Sequence, residues 1–358
     1  LCSLMVQQVS KQDHYDYGLR NLKAVAGEGR CTLMATDTEV GIRLDVQGLT
    51  IEDAGEAILP AKKLTEILRE SRDAEMSIDA GPDRCLVKGS SGEFEMASDD
   101  VAGFPDFPDF DEGKCHEITA ASLAQMVKRV LFAAADDSTR YSMTGASWEL
   151  DGDKARLVAT DGRRLALAEG LATSVGGHTT KGTTPVVPTK AMKLLERVLA
   201  DDPEETVKVA FRGNEVLFRT GRAVVYSRLV EGRFPDWRGV IPKKNAAKAT
   251  LATAPFHAAV RQAAIMTDTE SKRVAFHFTP EKLTLQAQAS ASGRSRIELP
   301  VAEYEGPGVS INFNPDYLND FLKVLSPDDP LELHMTDGAK PALFKSGDSY
   351  SYLVMPLT

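Results

Sequence analysis

The sequence predicts an α+β protein built from three tandem copies of one domain, each with two helices on one side of β-sheet. Two markers that keep a common period carry this reading, and the element order of the second copy supplies the rest. The first marker is a short apolar stretch that meets a proline and runs into a helix-like segment: Ile58-Leu59-Pro60-Ala61-Lys62-Lys63-Leu64, Val186-Val187-Pro188-Thr189-Lys190-Ala191-Met192 and Asn312-Phe313-Asn314-Pro315-Asp316-Tyr317-Leu318. Proline fixes φ and lacks an N–H that the first helical turn leaves unbonded anyway, so it suits a strand-to-helix junction. The second marker is Leu33-Met34-Ala35-Thr36-Asp37, nearly repeated as Leu157-Val158-Ala159-Thr160-Asp161 and degraded in Leu285-Gln286-Ala287-Gln288-Ala289. Both markers recur about every 124 to 128 residues, as a repeated domain requires.

The second copy is the most legible. Leu123, Met126, Val127, Val130 and Leu131 recur at helical spacing and predict one buried face. Strands are expected at Ser147–Leu150, Ala155–Ala159 and Leu165–Glu169, separated by Asp151-Gly152-Asp153 and Asp161-Gly162 turns. A Gly/Thr-rich loop at 175–184 leads to the proline-led helix with Leu194, Leu195, Val198 and Leu199 inside, then three more strands between Val207 and Val230. Strand, helix and three strands thus occur twice per domain. The Phe104-Pro105-Asp106-Phe107-Pro108-Asp109-Phe110 and Phe234-Pro235-Asp236-Trp237 segments close the first two copies, and Val240–Lys248 reads as a linker. The expected domains are therefore 1–113, 114–246 and 247–358. Leu1–Val9 aligns with the helix at 122–130, so the first strand of copy one is either missing or divergent.

Composition narrows the function. With 358 residues and 42% hydrophobic residues, the chain has material for three domain-sized cores. No apolar run is long enough to span a bilayer and the start does not read as a signal peptide, which points to a soluble, cytoplasmic protein. Cys2, Cys31, Cys85 and Cys115 lack the spacing of a disulfide framework or zinc site and read as reduced, structural residues. The net charge of −10 argues against nucleic acid coating the whole surface, while permitting a locally basic channel. Basic residues do gather on the helices: Lys62, Lys63 and Arg69 in copy one, Lys190, Lys193 and Arg197 in the equivalent helix of copy two, Lys128 and Arg129 in its other helix. Any one of these is explained by a solvated helix face; their recurrence favours a shared surface turned toward phosphates. No base-reading module accompanies them.

Catalytic patterns are lacking in the sequence. Gly177-His178-Thr179-Thr180-Lys181-Gly182-Thr183 has its lysine before the second glycine, the wrong order for a phosphate loop. Six histidines are scattered singly, and the acidic clusters Asp106, Asp109, Asp111, Glu112 and Asp201, Asp202, Glu204, Glu205 read as loops between elements. No cofactor, metal or catalytic residue is expected.

Thr160-Asp161-Gly162-Arg163-Arg164-Leu165-Ala166, Glu231-Gly232-Arg233-Phe234-Pro235-Asp236-Trp237-Arg238, Arg140-Tyr141 and Val354-Met355-Pro356-Leu357 resemble the bacterial DNA polymerase III β subunit, the replicative sliding clamp, across essentially the whole chain. The resemblance implies a head-to-tail homodimeric ring of six domains, threaded by duplex DNA without sequence preference. It places DNA contacts at Lys62, Lys63, Arg69, Arg140, Tyr141, Lys190, Lys193 and Arg197. It also implies a pocket for peptides of the replicative polymerase, the ATP-driven clamp loader and other partners, lined by Met143, Thr160, Gly162, Arg163, Arg164, Leu165, Pro235, Gly239, Val240, Pro341, Leu353, Met355, Pro356 and Leu357, with the arginines fixing peptide carbonyls or an acidic side chain. At the subunit joint it sets Glu93, Phe94, Glu95 and Met96 against Ile265, Met266, Arg294 and Arg296 of the partner. Family members usually carry a longer basic loop in place of Lys11–Tyr17 and the opposite charge signs at the joint. The competing class is a monomeric three-repeat scaffold that binds peptides and never encircles DNA; a nuclease comes third.

Overall fold

The structure, a computed structural model, describes residues 21–27, 29–136, 142–268, 272–289 and 293–357. The expectation for Leu1–Val9, and those for Arg140 and Tyr141, lie outside the described residues.

Copy one runs β1 (Leu22–Gly27), β2 (Arg30–Thr36), β3 (Val40–Val46), β4 (Gly55–Leu59), α1 (Ala61–Glu70), β5 (Ser77–Ala80), β6 (Arg84–Lys88) and β7 (Glu93–Ala97). Copy two follows as β8 (Cys115–Thr119), α2 (Ala120–Leu131), β9 (Gly145–Asp151), β10 (Lys154–Thr160), β11 (Arg164–Leu171), β12 (Thr173–Val175), β13 (Val186–Pro188), α3 (Thr189–Leu199), β14 (Thr206–Arg212), β15 (Glu215–Arg219) and β16 (Ala223–Arg228). Copy three comprises β17 (Ala247–Ala252), α4 (Thr253–Ala264), β18 (Val274–Phe278), β19 (Lys282–Ala289), β20 (Gly293–Pro300), β21 (Glu303–Glu305), β22 (Val309–Phe313), α5 (Pro315–Leu322), β23 (Pro330–Met335), β24 (Ala342–Ser346) and β25 (Tyr350–Val354). The three prolines sit where their chemistry suits them: Pro60 immediately before α1, Pro188 at the end of β13, and Pro315 as the first residue of α5. On α3 the residues at helical spacing, Met192, Leu195 and Leu199 with Ala191, Leu194 and Val198, are buried.

The described chain groups into two compact units. One holds a nine-stranded sheet in the order β12-β8-β14-β15-β16-β3-β2-β1-β4 and the three-stranded sheet β5-β6-β7; the other holds a nine-stranded sheet β13-β9-β10-β11-β25-β24-β23-β17-β21 and the four-stranded sheet β20-β19-β18-β22. Each large sheet crosses a repeat boundary. In the first unit β16 of copy two pairs antiparallel with β3 of copy one, Tyr226 opposite Gly41. In the second, β25 of copy three pairs antiparallel with β11 of copy two, Leu353 opposite Leu165. These are one joint made twice, the last strand of a copy on the strand after the Thr-Asp turn of the preceding copy.

That turn explains why the Thr-Asp marker repeats. The Thr36 hydroxyl accepts the Thr38 N–H (3.1 Å) and donates to the Val40 carbonyl (3.2 Å), and Asp37 accepts the N–H groups of Glu39 (3.0 Å) and Val40 (2.8 Å). In copy two Thr160 and Asp161 repeat all four bonds with Gly162, Arg163 and Arg164. The residue after the aspartate is left-handed in both, Gly162 at φ 85° and Thr38 at φ 73°. Glycine adopts that conformation freely and a β-branched threonine does not.

Two groupings in the first unit go beyond what sequence spacing shows. His116 and His178 are a buried pair, Nδ1 to Nδ1 2.7 Å. His178 Nε2 accepts the Phe211 N–H (3.1 Å), so His178 carries its proton on Nδ1 and donates it to His116. Burial, with Lys114 adding repulsion, lowers the His178 pKa and keeps it neutral. The 104–112 segment is a loop between elements, as expected, and it is packed: Phe107 and Phe110 lie on Leu217, Val224 and Tyr226, and Asp109, Asp111 and Glu112 pair with Arg43, Lys208, Arg212 and Arg219.

Thr38→Gly should raise unfolding free energy by about 0.5–1 kcal/mol, relief of left-handed strain exceeding the entropy that glycine adds to the unfolded chain. Urea denaturation checks this; an unchanged or lowered midpoint would refute the strain at Thr38.

Candidate functional site

The residues of the expected peptide pocket all fall in the second unit, around the β11–β25 joint. Leu165 and Leu353 face each other there and join Val158, Leu167, Val186, Val230, Phe234, Trp237 and Leu343 in a buried apolar cluster, against which Ile241 packs. Beyond β25 the chain stays tied down, the Met355 N–H donating to the Arg163 carbonyl (2.9 Å) and the Leu357 N–H to the Asn312 carbonyl (2.9 Å). Val240 is 50% exposed and Met355 42%, large apolar side chains left open beside a closed apolar floor. Gly162, Arg163, Pro235 and Gly239 are exposed, while Met143, Pro341, Pro356 and Leu357 are half-buried. Thr160 is buried and its hydroxyl is consumed by the turn.

The two arginines of the turn do different work. Arg164 donates Nε to Asp161 (3.0 Å), Nη1 to Asp320 (2.8 Å) and Nη2 to the Phe132 carbonyl (2.8 Å), and it lies over the Tyr317 ring at 4.6 Å. Burial opposes its charge, yet these partners, Asp320 first, hold its pKa above the ordinary arginine value. These bonds make it a structural staple that holds the turn against α5 and the Phe132 carbonyl. Arg163 is exposed, with the Tyr317 hydroxyl as its hydrogen-bond partner, and is the arginine of the turn free to approach a ligand.

Sequence reasoning missed the wall beside Val240. Glu149 on β9 accepts Arg238 through both guanidinium nitrogens (2.8 and 2.5 Å) and the Trp237 indole N–H (3.3 Å), and Arg238 lies 4.1 Å over the Trp237 ring. Burial opposes the Arg238 charge less than Glu149 supports it, so its pKa is raised. This ties the 3₁₀ turn Trp237–Gly239 to the sheet. Trp237 lay inside a recognised motif, but its partner eighty-odd residues away carries no local signal.

Of the expected DNA contacts, Lys62, Lys63 and Arg69 are exposed on α1, and Lys193 and Arg197 on α3. Lys190 is not free: its ammonium is bonded to Asp37, whose side chain is fully buried. On α2, Lys128 is exposed but Arg129 is buried, 4.9 Å over the Tyr350 ring and 3.8 Å from Asp329, which removes it from any outward basic face.

The residues expected at the subunit joint lie on open edges. Among the described residues β7 pairs only with β6 and exposes Glu93, Phe94 and Glu95, and β20 pairs only with β19 and exposes Arg294 and Arg296. Ile265, just past α4, is 72% exposed. Among the described residues no helix is long and apolar enough to cross a membrane, and no group of three or more His, Cys, Asp or Glu could hold a metal.

Repeated helix-and-sheet domains joined edge to edge, with basic helices and an apolar site at a strand joint, define a sliding-clamp fold. The chain belongs to the DNA polymerase III beta subunit family, the DNA sliding clamps that serve polymerase processivity, matching its N-terminal domain over residues 6–108, its central domain over 117–236 and its C-terminal domain over 238–358. It is 28% identical to the beta sliding clamp of Proteus mirabilis over 344 residues, 95% of this chain and 92% of that one. Among solved structures it is similar to a DNA polymerase sliding clamp from Bacillus subtilis (TM-score 0.91, 23% identity, 99% and 96% of the two chains). It is equally similar in fold to a sliding clamp from Pseudomonas aeruginosa bound to griselimycin (TM-score 0.91, 25% identity, 99% and 96%).

Lys190→Met should cost about 1–3 kcal/mol at pH 7 by leaving the buried Asp37 carboxylate without its cation. Burial raises the Asp37 pKa, but the bonds from Lys190 and from the Val40 and Glu39 N–H groups outweigh it and hold the carboxyl below its usual range. A depressed folded pKa gives stability that is complete above the unfolded value and lost as pH falls through the folded one. The penalty should therefore shrink as pH falls below the ordinary aspartate pKa of about 4, and urea midpoints of both proteins on either side of it measure this. A penalty independent of pH would rule out the ion pair as its cause.

Proposed function

We propose that two copies of this chain close head to tail into a ring of six domains around duplex DNA, with domains at 1–113, 114–246 and 247–358, acting in the cytoplasm as a tether for the replicative polymerase. The observation that carries the ring is the pair of open edges. Each internal joint sets the last strand of one copy on the post-turn strand of the copy before it, and the strands left over, β7 of copy one and β20 of copy three, are the same two kinds. A chain with complementary ends of this sort assembles heterologously, and closure into a ring removes both edges. Topology then replaces affinity: contacts from Lys62, Lys63, Arg69, Lys193 and Arg197, and from Arg140 and Tyr141, are phosphate-directed and weak enough to slide. Lys190 contributes chiefly by holding Asp37.

Loaded by an ATP-driven clamp loader, the protein should stay on nicked circular DNA and be lost when that DNA is linearised. Equal loss from both forms, or a concentration-independent monomer of 38.8 kDa, would favour the peptide-binding scaffold instead.

The apolar site at the β11–β25 joint is the proposed dock for linear peptides of the polymerase and clamp loader. Val240 and Met355 supply adaptable apolar contact, Arg163 a cation for peptide carbonyls or an acidic side chain. The griselimycin-bound relative supports a ligand site on this fold. Val240→Asp with Met355→Asp should weaken a polymerase-derived peptide at least about tenfold, because burying a carboxylate in an apolar contact is costly. Fluorescence anisotropy measures this. Wild-type peptide affinity in the double variant would remove the site from this position.

A further inference from the structure

The two strand joints inside the chain are built alike, and each carries the connector that leads on to the next copy. Gly41 opposes Tyr226 at the first joint and Leu165 opposes Leu353 at the second, with Leu217 paired to Tyr226 and Leu343 to Leu353. The Arg228 N–H donates to the Glu39 carbonyl (2.8 Å) as the Met355 N–H does to that of Arg163, so the correspondence continues past the ladder. The connectors share a Phe-Pro-Asp-aromatic run, Phe104-Pro105-Asp106-Phe107 and Phe234-Pro235-Asp236-Trp237. Phe107 packs on the cluster of Leu217 and Tyr226, and Trp237 belongs to the cluster of their counterparts Leu343 and Leu353. Three residues beyond each aromatic, Phe110 stands where Val240 stands.

The joints differ in what covers them. At the second, Val240 and Met355 are left exposed; at the first, Phe107 and Phe110 are half-buried on the apolar floor. Gly41 has no left-handed φ, and a Cβ on it would come within 2.8 Å of the Phe107 ring, so its missing side chain serves the approach of that ring. Arg43, in the place of Leu167, lies 5.6 Å over the same ring and donates to Asp109 (3.2 Å). Arg212 donates to the Asp109 carbonyl (3.4 Å) and lies 3.4 Å from Asp111, while Glu112 accepts Lys208 (2.9 Å) and pairs with Arg219 (2.5 Å). Residues 107–112 thus lie on the joint as a ligand lies on its site, two aromatic rings on an apolar floor and three carboxylates on four cations. They belong to no helix or strand, and the Asp109 side chain is 91% exposed, so the ion pairs that hold them cost little to exchange.

We infer that the β3–β16 joint carries a second docking surface, held closed by the chain's own 107–112 strap, and that it takes a partner peptide of the strap's chemistry: aromatic residues set between carboxylates. This surface is read as a dock by likeness to the one proposed at the β11–β25 joint, while the contacts of its strap stand without that likeness. The two surfaces select different peptides. Glu39 stands where Arg163 stands and Arg228 where Met355 stands, and the cations Arg43, Lys208, Arg212 and Arg219 project from β3, β14 and β15 where the second joint offers Leu167 and an apolar mouth. Opposite charge favours an acidic peptide here and gives it no such advantage there. A tethered strap competes at an effective concentration on the order of millimolar, so a free peptide enters readily only where the strap is loosened or the peptide brings further contacts.

The probe is a fluorescein-labelled peptide with the sequence of Asp106–Glu112, read by fluorescence anisotropy against the full chain, with circular dichroism confirming that each variant folds. Phe107→Ala with Phe110→Ala unseats the strap and should bind the probe at least about tenfold more tightly than wild type, because the tethered competitor is lost. Asp109→Asn with Asp111→Asn and Glu112→Gln loosens the strap by charge alone, leaves the aromatic packing in place, and should shift affinity the same way. Adding Lys208→Glu and Arg219→Glu to either variant should cancel the gain. Val240→Asp with Met355→Asp should leave probe binding unchanged. Probe affinity equal to wild type in both strap variants, or loss of the probe in the Val240→Asp, Met355→Asp protein, would overturn the second dock. A polymerase-derived peptide that ignores Val240→Asp with Met355→Asp, while the strap variants still gain the probe, would overturn only the dock at the β11–β25 joint and leave this one standing.

Discussion

Everything in this structure hangs on a strand ladder that ignores the boundaries of the repeats. Neither copy one nor copy two closes its own sheet; β3 and β11 would be bare edges, each with a row of free N–H and carbonyl groups, were they not covered by β16 and β25 of the next copy. An uncovered edge invites pairing with any other strand. Solving that problem by lending a strand to the neighbour makes the repeats inseparable, and it also leaves one donor and one acceptor edge at the chain's two ends. Edges of this kind can be covered by a second copy of the same chain with no interface of a new kind.

The Thr-Asp turn is the piece that makes the ladder repeatable. Its aspartate and threonine satisfy four backbone groups between the inner strand and the joint strand, so the joint strand enters with the same register each time. The spare capacity of the carboxylate is then used differently in each copy. Asp37 recruits Lys190 from α3, and Asp161 shares Arg164 with Asp320 and the Phe132 carbonyl. In both cases a cation that looks, in sequence, available for an outside anion is held by the turn. Copy three has no aspartate here, since Gln288-Ala289 replaces it, and its joint strand β20 pairs only with β19 among the described residues.

The period, the strand and helix order of copy two and the buried stripes of α2 and α3 were legible because each rests on local spacing: alternation of two along strands, 3.6 along helices, proline at the junction. What escaped was set by partners far away in sequence. Arg129 shares the periodicity of an exposed neighbour to Lys128, yet it is covered by Tyr350, more than two hundred residues on. His116 and His178 looked solitary because their pairing is made by β8 and the 172–179 segment meeting in one unit. The Phe107 and Phe110 segment looked like a boundary, and it is one, but Gly41 shows that it is also packing: a Cβ there would sit 2.8 Å from the Phe107 ring. Of the candidate site, Leu165, Leu353 and the turn were readable, while Glu149 and the clamp on Trp237 and Arg238 were not.

A net charge of −10 and a role on DNA are reconciled by where the acids are spent. Asp109, Asp111 and Glu112 are tied to Arg43, Arg212, Lys208 and Arg219 on the strands beneath them, which leaves those arginines unavailable to phosphate but also leaves the acids partly neutralised. Lys62, Arg69, Lys193 and Arg197 are exposed on helices and hold no carboxylate in an ion pair among the described residues, and Lys63 holds only Glu66 at 3.6 Å. The attraction such a surface offers to a polyanion is local, falls off within about 8 Å at physiological salt, and is too diffuse to hold DNA by itself. Weak binding of that kind is useful only to a protein retained by other means, and the charge distribution therefore agrees with the ring proposed above.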